Sequence, residues 1–192
     1  MFRDERLPRS QKHSERESFA GEKKHEDVVT KIGGWVHPLM VYLRTPEGAA
    51  LDARVRGEIA SALSILGESQ SVLGRREESE EALRLAVQYA QEGPVAADVY
   101  RTLARVMIAE SRAGEAIGPL RRALALEPNR HELLLELAAC FLSARRTVAA
   151  LGCLRDARAK GVAGADIDAL AERVRKALGE PAQRFEVLLA GR

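Results

Sequence analysis

A stretch that returns at a fixed interval restricts the fold of this chain more than any other feature. Leu103-Ala104 returns as Leu137-Ala138, an interval of 34 residues (137 − 103 = 34). At the same interval, Ala116, Leu120 and Ala123 return as Ala150, Leu154 and Ala157. Residues spaced by three and four line one face of a helix, and small side chains let two helices approach closely. The interval therefore predicts repeated pairs of antiparallel helices.

The composition also favours helices. Apolar residues make up 46% of the chain but aromatic residues only 4%, so Ala and Leu carry most of the apolar content. These two residues are better suited to closely packed helices than to a sheet. We therefore expect an all-α fold.

The two copies resemble tetratricopeptide repeats, which are helical hairpins of about 34 residues. Tyr100 stands where such a repeat has a large aromatic residue, and Pro128 ends the second helix of the first copy. In the other copy, Phe141 fills a further aromatic position and Val162 replaces the closing proline. The resemblance implies a right-handed superhelical solenoid of helix-turn-helix hairpins.

A less regular copy precedes these two. Leu66-Gly67 matches Leu103-Ala104 at an interval of 37 residues (103 − 66 = 37). Further along, Ser79, Leu83 and Ala86 take the places of the later Ala, Leu and Ala. We therefore expect repeats at about residues 60–93, 97–130 and 131–164, within a domain that covers residues 46–179.

The predicted domain begins and ends with further helices. Thr45-Pro46 is a helix start, and no turn signal interrupts the apolar pattern until Gly74, so one long helix is expected there. A capping helix is expected at residues 165–179, with Asp166 as its N-cap. Its polar outer face would close a stack of repeats.

Outside this domain the sequence predicts three segments. Residues 1–31 are rich in charges of both signs and read as a flexible tail. Residues 32–45, which follow a hinge at Gly33-Gly34, form an apolar docking segment that Pro38 divides. Residues 180–192 form a C-terminal tail, whose apolar residues could fold back onto the last helix.

The docking segment contains the single Trp of the chain, and its candidate contact residues are Trp35, Val36, Leu39 and Tyr42. Two interpretations stay open. The segment is either a lid that packs onto the first helices of the same chain, or a surface that docks on a partner or on a second copy of the chain. Tryptophan is enriched at the energetic centres of protein interfaces.

The resemblance places the first helix of each hairpin along a concave groove. The candidate groove residues are Ser64, Glu68, Arg101, Arg105, Ile108, Leu135, Ala139 and Leu142. Arg101 and Arg105 lie four residues apart and could hold a carboxylate or peptide carbonyls. The alternative is that Arg101 pairs with Asp98 as ordinary surface charge.

The sequence offers little that suggests catalysis. The four His are scattered, and no spacing typical of a metal site, a catalytic triad or a phosphate loop is found, so we expect no enzyme, cofactor, metal or small-molecule substrate. The apolar stretches are too short to span a membrane. We expect Cys140 and Cys153 to be reduced core residues of a cytoplasmic protein.

Charge does not favour nucleic acid either. The formal net charge is +2, and acidic residues are interspersed among the arginine pairs Arg75-Arg76, Arg121-Arg122 and Arg145-Arg146. The expected function is therefore a non-enzymatic adaptor that binds a protein segment in the groove.

Two alternatives to the adaptor stay open. The arrangement of repeats and Ala138–Leu142 are similar to type III secretion chaperones for translocator proteins, which implies that the groove cradles a client. The other alternative is a structural subunit that oligomerises through Trp35–Leu43.

Overall fold

The computed structural model describes residues 9–43, 45–90 and 92–190. The regular elements of these ranges are all α-helices: α1 (Arg9–Tyr42), α2 (Pro46–Ala49), α3 (Ala53–Val72), α4 (Arg76–Ala90), α5 (Gly93–Ala109), α6 (Ala113–Leu126), α7 (Glu132–Ser143), α8 (Thr147–Ala159), α9 (Ala165–Leu178) and α10 (Ala182–Ala190). The chain divides into two compact units, the first reaching to Ala86 and the second beginning at Val87. The all-α prediction is thus confirmed for the described residues.

The long helix α1 corrects the prediction of a flexible tail. Residues 9–31 are helical, whereas residues 1–8 lie outside the described part of the chain. The helix also continues through Gly33-Gly34 and Pro38, where a hinge and a division were expected. The physical reason lies in the packing of α1 against α3. Val29, Ile32, Val36 and Leu39 form a stripe of apolar side chains at three- and four-residue spacing on α1.

Capping explains why the predicted long helix from Pro46 is divided. The Thr45 hydroxyl accepts a hydrogen bond from the Gly48 amide at 3.1 Å, so the expected cap of α2 is present. That helix ends after one turn, and the Asp52 carboxylate accepts from the Val55 amide at 2.8 Å to begin α3. An aspartate at an N-cap satisfies an amide that the helix leaves unpaired.

The helices of the second unit pack in sequence order. Helix α5 packs against α6, α6 against α7, α7 against α8 and α8 against α9, and α7 also contacts α9. Most of the small and apolar positions that repeat along the sequence lie fully buried in both hairpins: Ala104, Ala116, Leu120 and Ala123 in α5–α6, and Ala138, Ala150, Leu154 and Ala157 in α7–α8. Of the remaining repeated pair, Leu137 is buried whereas Leu103 is half-buried. The repeated residues therefore form the contacts between helices, as their spacing predicts.

The first unit contains a hairpin of the same kind, formed by α3 and α4. Gly67 lies in the Ala104 position and is buried, and Ser79 and Leu83 are fully buried in the positions of Ala116 and Leu120. The Ser79 hydroxyl donates a hydrogen bond to the Gly67 carbonyl at 2.7 Å. The serine that departs from the alanine pattern thus has a buried partner on the opposite helix.

The turns of the hairpins share one backbone geometry. Gly74, Ser111, Arg145 and Gly179 each have positive φ, at 73°, 63°, 57° and 71°. In each turn the next amide donates to the carbonyl five residues earlier, and Arg112 to Met107 and Arg146 to Phe141 both measure 2.8 Å. The turn residues follow the sequence intervals of 37 and 34 residues (111 − 74 = 37; 145 − 111 = 34). A left-handed residue after the last turn is a common helix ending.

The last of these turns joins α9 to α10 and corrects the prediction of a C-terminal tail. Residues 182–190 are helical, whereas residues 191–192 lie outside the described part of the chain. Helix α10 packs against α8, and Phe185 and Leu189 are buried in the core. Apolar residues four apart on one helical face explain the difference. In α9, Gly164 rather than Asp166 is the N-cap, and Asp166 lies in the first turn.

Candidate functional site

The structure distributes the predicted groove residues over both units. Ser64 and Glu68 lie on α3 in the first unit. The others lie in the second unit, with Arg101, Arg105 and Ile108 on α5 and Leu135, Ala139 and Leu142 on α7. Ser64 is only 5% exposed, so its hydroxyl is a weak candidate for contact with a partner. The remaining candidate residues thus lie on two helices of the second unit, α5 and α7.

Arg101 joins α5 to α7 through carboxylates that the sequence interpretation missed. Its Nε and Nη2 donate to Glu136 Oε1 at 3.0 and 2.6 Å, and its Nη1 lies 3.5 Å from Glu132 Oε1. Charged hydrogen bonds of this length are strong and directional. Arg101 is thus already paired within the unit, which makes it a positioning residue for α5 and α7 more than a clamp for a ligand.

Asp98 pairs with Arg130 and not with Arg101, so the alternative pairing considered from the sequence is wrong. Arg130 Nη1 donates to Asp98 at 2.6 Å and to Glu127 at 2.9 Å, and Arg130 Nε donates to Glu132 at 3.2 Å. The hydrogen bond with Asp98, together with those to the two glutamates, raises the pKa of Arg130 despite its partial desolvation. The pKa of Glu132 is lowered by a backbone hydrogen bond and by the two arginines.

An apolar strip lies beside this ion-pair network. Leu135, Ala139 and Leu142 are half-buried on α7 and pack against the core of the second unit. Ile108 on α5 is 38% exposed. Arg105 is exposed on the same helix. The strip therefore offers an apolar contact area to a partner protein, and the basic residue Arg105 lies at the edge of this area.

The predicted docking segment lies on α1 and is partly buried. Val36 and Leu39 are half-buried, and with Trp35 they line a cavity of about 200 Å³ between α1 and α3. Trp35 is 75% exposed, and Tyr42 is exposed as well. The lid and the docking interpretations of this segment both stay predictions.

The arginine pairs on the second helices are partly engaged. Arg121 and Arg146 lie over the ring of Phe141, with guanidinium-to-centroid distances of 5.6 and 5.5 Å. Such stacking is favourable and holds both side chains against the helices. These arginines therefore contribute to packing as well as to surface charge.

Both cysteines are free thiols, and Cys140 is buried whereas Cys153 is half-buried. Burial raises the pKa of Cys140 to about 11, and the Glu136 carboxylate adds to the shift. Burial also raises the pKa of Cys153. Within the described residues, no group of three or more His, Cys, Asp or Glu is placed to hold a metal ion. The surroundings of both thiols are those of core residues.

None of the described helices is both long and apolar enough to cross a membrane. Comparison of the chain with protein-family models, with curated proteins and with solved structures found no match. The fold itself defines the class of protein, an all-α chain built from helical hairpins.

Proposed function

We propose that this chain is a non-enzymatic adaptor whose tetratricopeptide-like hairpins stack as a right-handed solenoid and hold a segment of a partner protein. The observation that carries the proposal is the repeated turn: Gly74, Ser111, Arg145 and Gly179 adopt the same left-handed conformation. Chains that repeat one hairpin in this way present an extended surface made of equivalent helices. Such a surface suits a peptide better than a small substrate.

The apolar strip on α5 and α7 is the proposed contact surface. Ile108 on α5 is exposed, and Leu135 and Leu142 on α7 are half-buried. Leu135 and Leu142 lie seven residues apart, about 10 Å along the helix, so an extended partner segment is needed to cover both. Apolar contact area supplies most of the affinity in such interfaces, and charges at the rim supply orientation. The network of Arg101 and Glu136 then holds the two helices at a fixed spacing.

The proposal is tested by capturing partners from native lysate with wild-type chain and with two matched variants. Ile108→Glu places a charge on the proposed surface, whereas Val148→Glu places the same charge on α8 at a residue that is 76% exposed. We expect one dominant partner, identified by mass spectrometry, to be lost with Ile108→Glu and kept with Val148→Glu. Equal capture by both variants, with unchanged circular dichroism, would contradict the proposal.

A structural subunit is the second candidate, and the exposed aromatic residues of α1 favour it. Trp35 and Tyr42 lie seven residues apart, on one helical face, and both are exposed. In this case the double change Trp35→Ser and Tyr42→Ser would reduce the molar mass measured by light scattering. Ile108→Glu would leave the mass unchanged.

A further inference from the structure

Two arginines of the second unit lie against one buried ring. Arg121 is on α6 and Arg146 immediately precedes α8, and their guanidinium carbons lie 5.6 and 5.5 Å from the centre of the Phe141 ring. Phe141 is 3% exposed, whereas both arginines are exposed. Stacking on a buried ring restricts the positions of the charged groups. Two positive charges are therefore held close together at the protein surface.

Within the described residues, no acidic side chain forms an ion pair with Arg121 or Arg146. Other arginines of the same unit do form such pairs, Arg101 with a carboxylate of α7 and Arg130 with one of α5. Neighbouring positive charges without a counter-charge repel each other, and an anion bound to both offsets this repulsion. The pair is thus suited to a negatively charged ligand.

The preceding repeat shows how the equivalent arginine is neutralised. Arg112 immediately precedes α6 as Arg146 precedes α8, at the interval of 34 residues (146 − 112 = 34). Arg112 Nη1 donates to Glu110 Oε2 at 2.9 Å, and Arg112 Nη2 donates to Glu115 Oε2 at 2.6 Å. An arginine at this position of the turn therefore binds two carboxylates at once.

The next repeat carries neither of these carboxylates. The positions equivalent to Glu110 and Glu115 hold Ala144 and Ala149 (144 − 110 = 34; 149 − 115 = 34). Arg146 thus keeps the position that binds carboxylates in the preceding repeat, but its own repeat supplies alanines in their place. A partner that brings carboxylate oxygens to this arginine would restore the pattern of the preceding repeat.

We infer that Arg121 and Arg146 bind an acidic segment of a partner protein, whose Asp or Glu carboxylates accept hydrogen bonds from both guanidinium groups. The distance between the two guanidinium carbons cannot exceed the sum of their distances to the ring centre. Alternate residues of an extended chain lie about 7 Å apart, so two carboxylates of one segment fit within this span. The site is separate from the apolar strip and does not depend on it.

The surrounding charges favour a short peptide over a nucleic acid. Burial raises the pKa of Cys153, the Asp156 carboxylate raises it further, and Arg121 acts in the opposite direction, so a carboxylate lies in the neighbourhood of Arg121. The formal net charge of the chain is only +2. Nucleic acid binds basic surfaces that extend over several phosphates, and a carboxylate within such a surface repels it. An acidic segment needs no more than the two guanidinium groups.

The test measures the Kd of a fluorescently labelled peptide in which Glu alternates with Ser, by anisotropy with the full chain at low salt. We expect Arg121→Gln and Arg146→Gln each to weaken binding by about tenfold. The double change Ala144→Glu and Ala149→Glu supplies the two missing carboxylates and should abolish binding, with unchanged circular dichroism. The same peptide with Gln in place of Glu should not bind.

Two control variants make the result specific. Arg173→Gln removes the same charge from an exposed position of α9 and should leave the Kd within about twofold of the wild-type value. Ile108→Glu should also leave it unchanged, which separates this site from the proposed groove. The inference is overturned by an equal loss with Arg173→Gln, by equal binding of the Gln peptide, by no binding of the Glu peptide, or by tighter binding of a labelled single-stranded oligonucleotide.

Discussion

Gly67 faces Leu83 of α4 across the first hairpin, at a position where the other hairpins carry alanine. A Cβ at this position would lie 2.6 Å from Leu83 Cγ, and Leu83 is fully buried, so the leucine has little room to move. Overpacking of a core costs about 1–3 kcal/mol, whereas Gly to Ala in a helix gains about 1 kcal/mol. We expect Gly67→Ala to lower the free energy of unfolding by up to about 2 kcal/mol in urea titrations.

The matched control for this change is Gly152→Ala on α8. A Cβ at Gly152 would meet no atom within 4 Å, so the variant should keep or raise stability by about 0.5–1 kcal/mol through helix propensity. If both variants shift stability in the same direction, the close contact between α3 and α4 does not limit the size of residue 67.

The ion pair between Glu172 and Arg175 can be tested by a pH titration of the Glu172 carboxylate. Arg175 Nε and Nη2 donate to its two oxygens at 2.7 and 2.6 Å, and these hydrogen bonds lower the pKa of Glu172 to about 2. A carboxyl group with a lowered pKa stabilises the folded state above its unfolded pKa, and the contribution is lost as the pH falls toward 2. We expect the NMR titration of its side-chain carbon to have a midpoint well below the ordinary value.

The variant Arg175→Gln should raise this midpoint toward the ordinary value of a glutamate, about 4.3. Lys176 Nζ stays 3.6 Å from Glu172 Oε1, so part of the lowering of the pKa remains. A midpoint for Glu172 that does not respond to Arg175→Gln would show that the ion pair is absent in solution.

At the scale of the hairpin, we expect placing glycine in a turn and removing it from a turn to have opposite effects on the free energy of unfolding. Gly74 and Ser111 share the left-handed conformation, with φ of 73° and 63°. A side chain in this conformation costs roughly 1–2 kcal/mol, from which glycine's larger unfolded-state entropy subtracts about 0.5–1 kcal/mol. We expect Ser111→Gly to raise the free energy of unfolding by about 0.5–1 kcal/mol and Gly74→Ser to lower it by a similar amount.

Thermal unfolding followed by circular dichroism measures both variants. Ser143→Gly, at the exposed C-terminal residue of α7, is the control for glycine in an ordinary helical conformation and should reduce stability. Destabilisation by Ser111→Gly would mean that the shared turn geometry does not govern hairpin stability.

The elements that the sequence predicted well are those that depend on small residues at fixed intervals. Ala116 and Ala150 both lie fully buried between helices, since close packing leaves no alternative to a small side chain. The hairpin of α9 and α10 was missed because the equivalent position holds Arg184, although Gly179 provides the same turn. The residues that α10 buries are instead Phe185 and Leu189.

The candidate site was less predictable than the hairpins. Glu136 lies 35 residues from Arg101 in sequence, so their pairing depends on how α5 and α7 lie side by side. Local spacing favoured Asp98, which Arg130 binds instead. Helix α1 was missed for a related reason: its stripe of apolar residues gains stability only through contact with α3.

At the scale of the whole molecule, the second unit contains a core of its own. Its buried apolar cluster runs from Ala97 to Leu189 and draws on α5 to α10. These helices contact one another in sequence order, so most of the stabilising contacts are local.

We therefore expect a fragment of residues 87–192 to fold alone, with helical circular dichroism and a cooperative thermal transition. A fragment of residues 87–180, which lacks α10, should melt at a lower temperature, because the core then loses Phe185 and Leu189. Removing a buried Phe side chain alone costs about 3–5 kcal/mol. Identical melting of the two fragments would show that α10 contributes nothing to the core, and a helical but non-cooperative longer fragment would show that the second unit needs the first to fold.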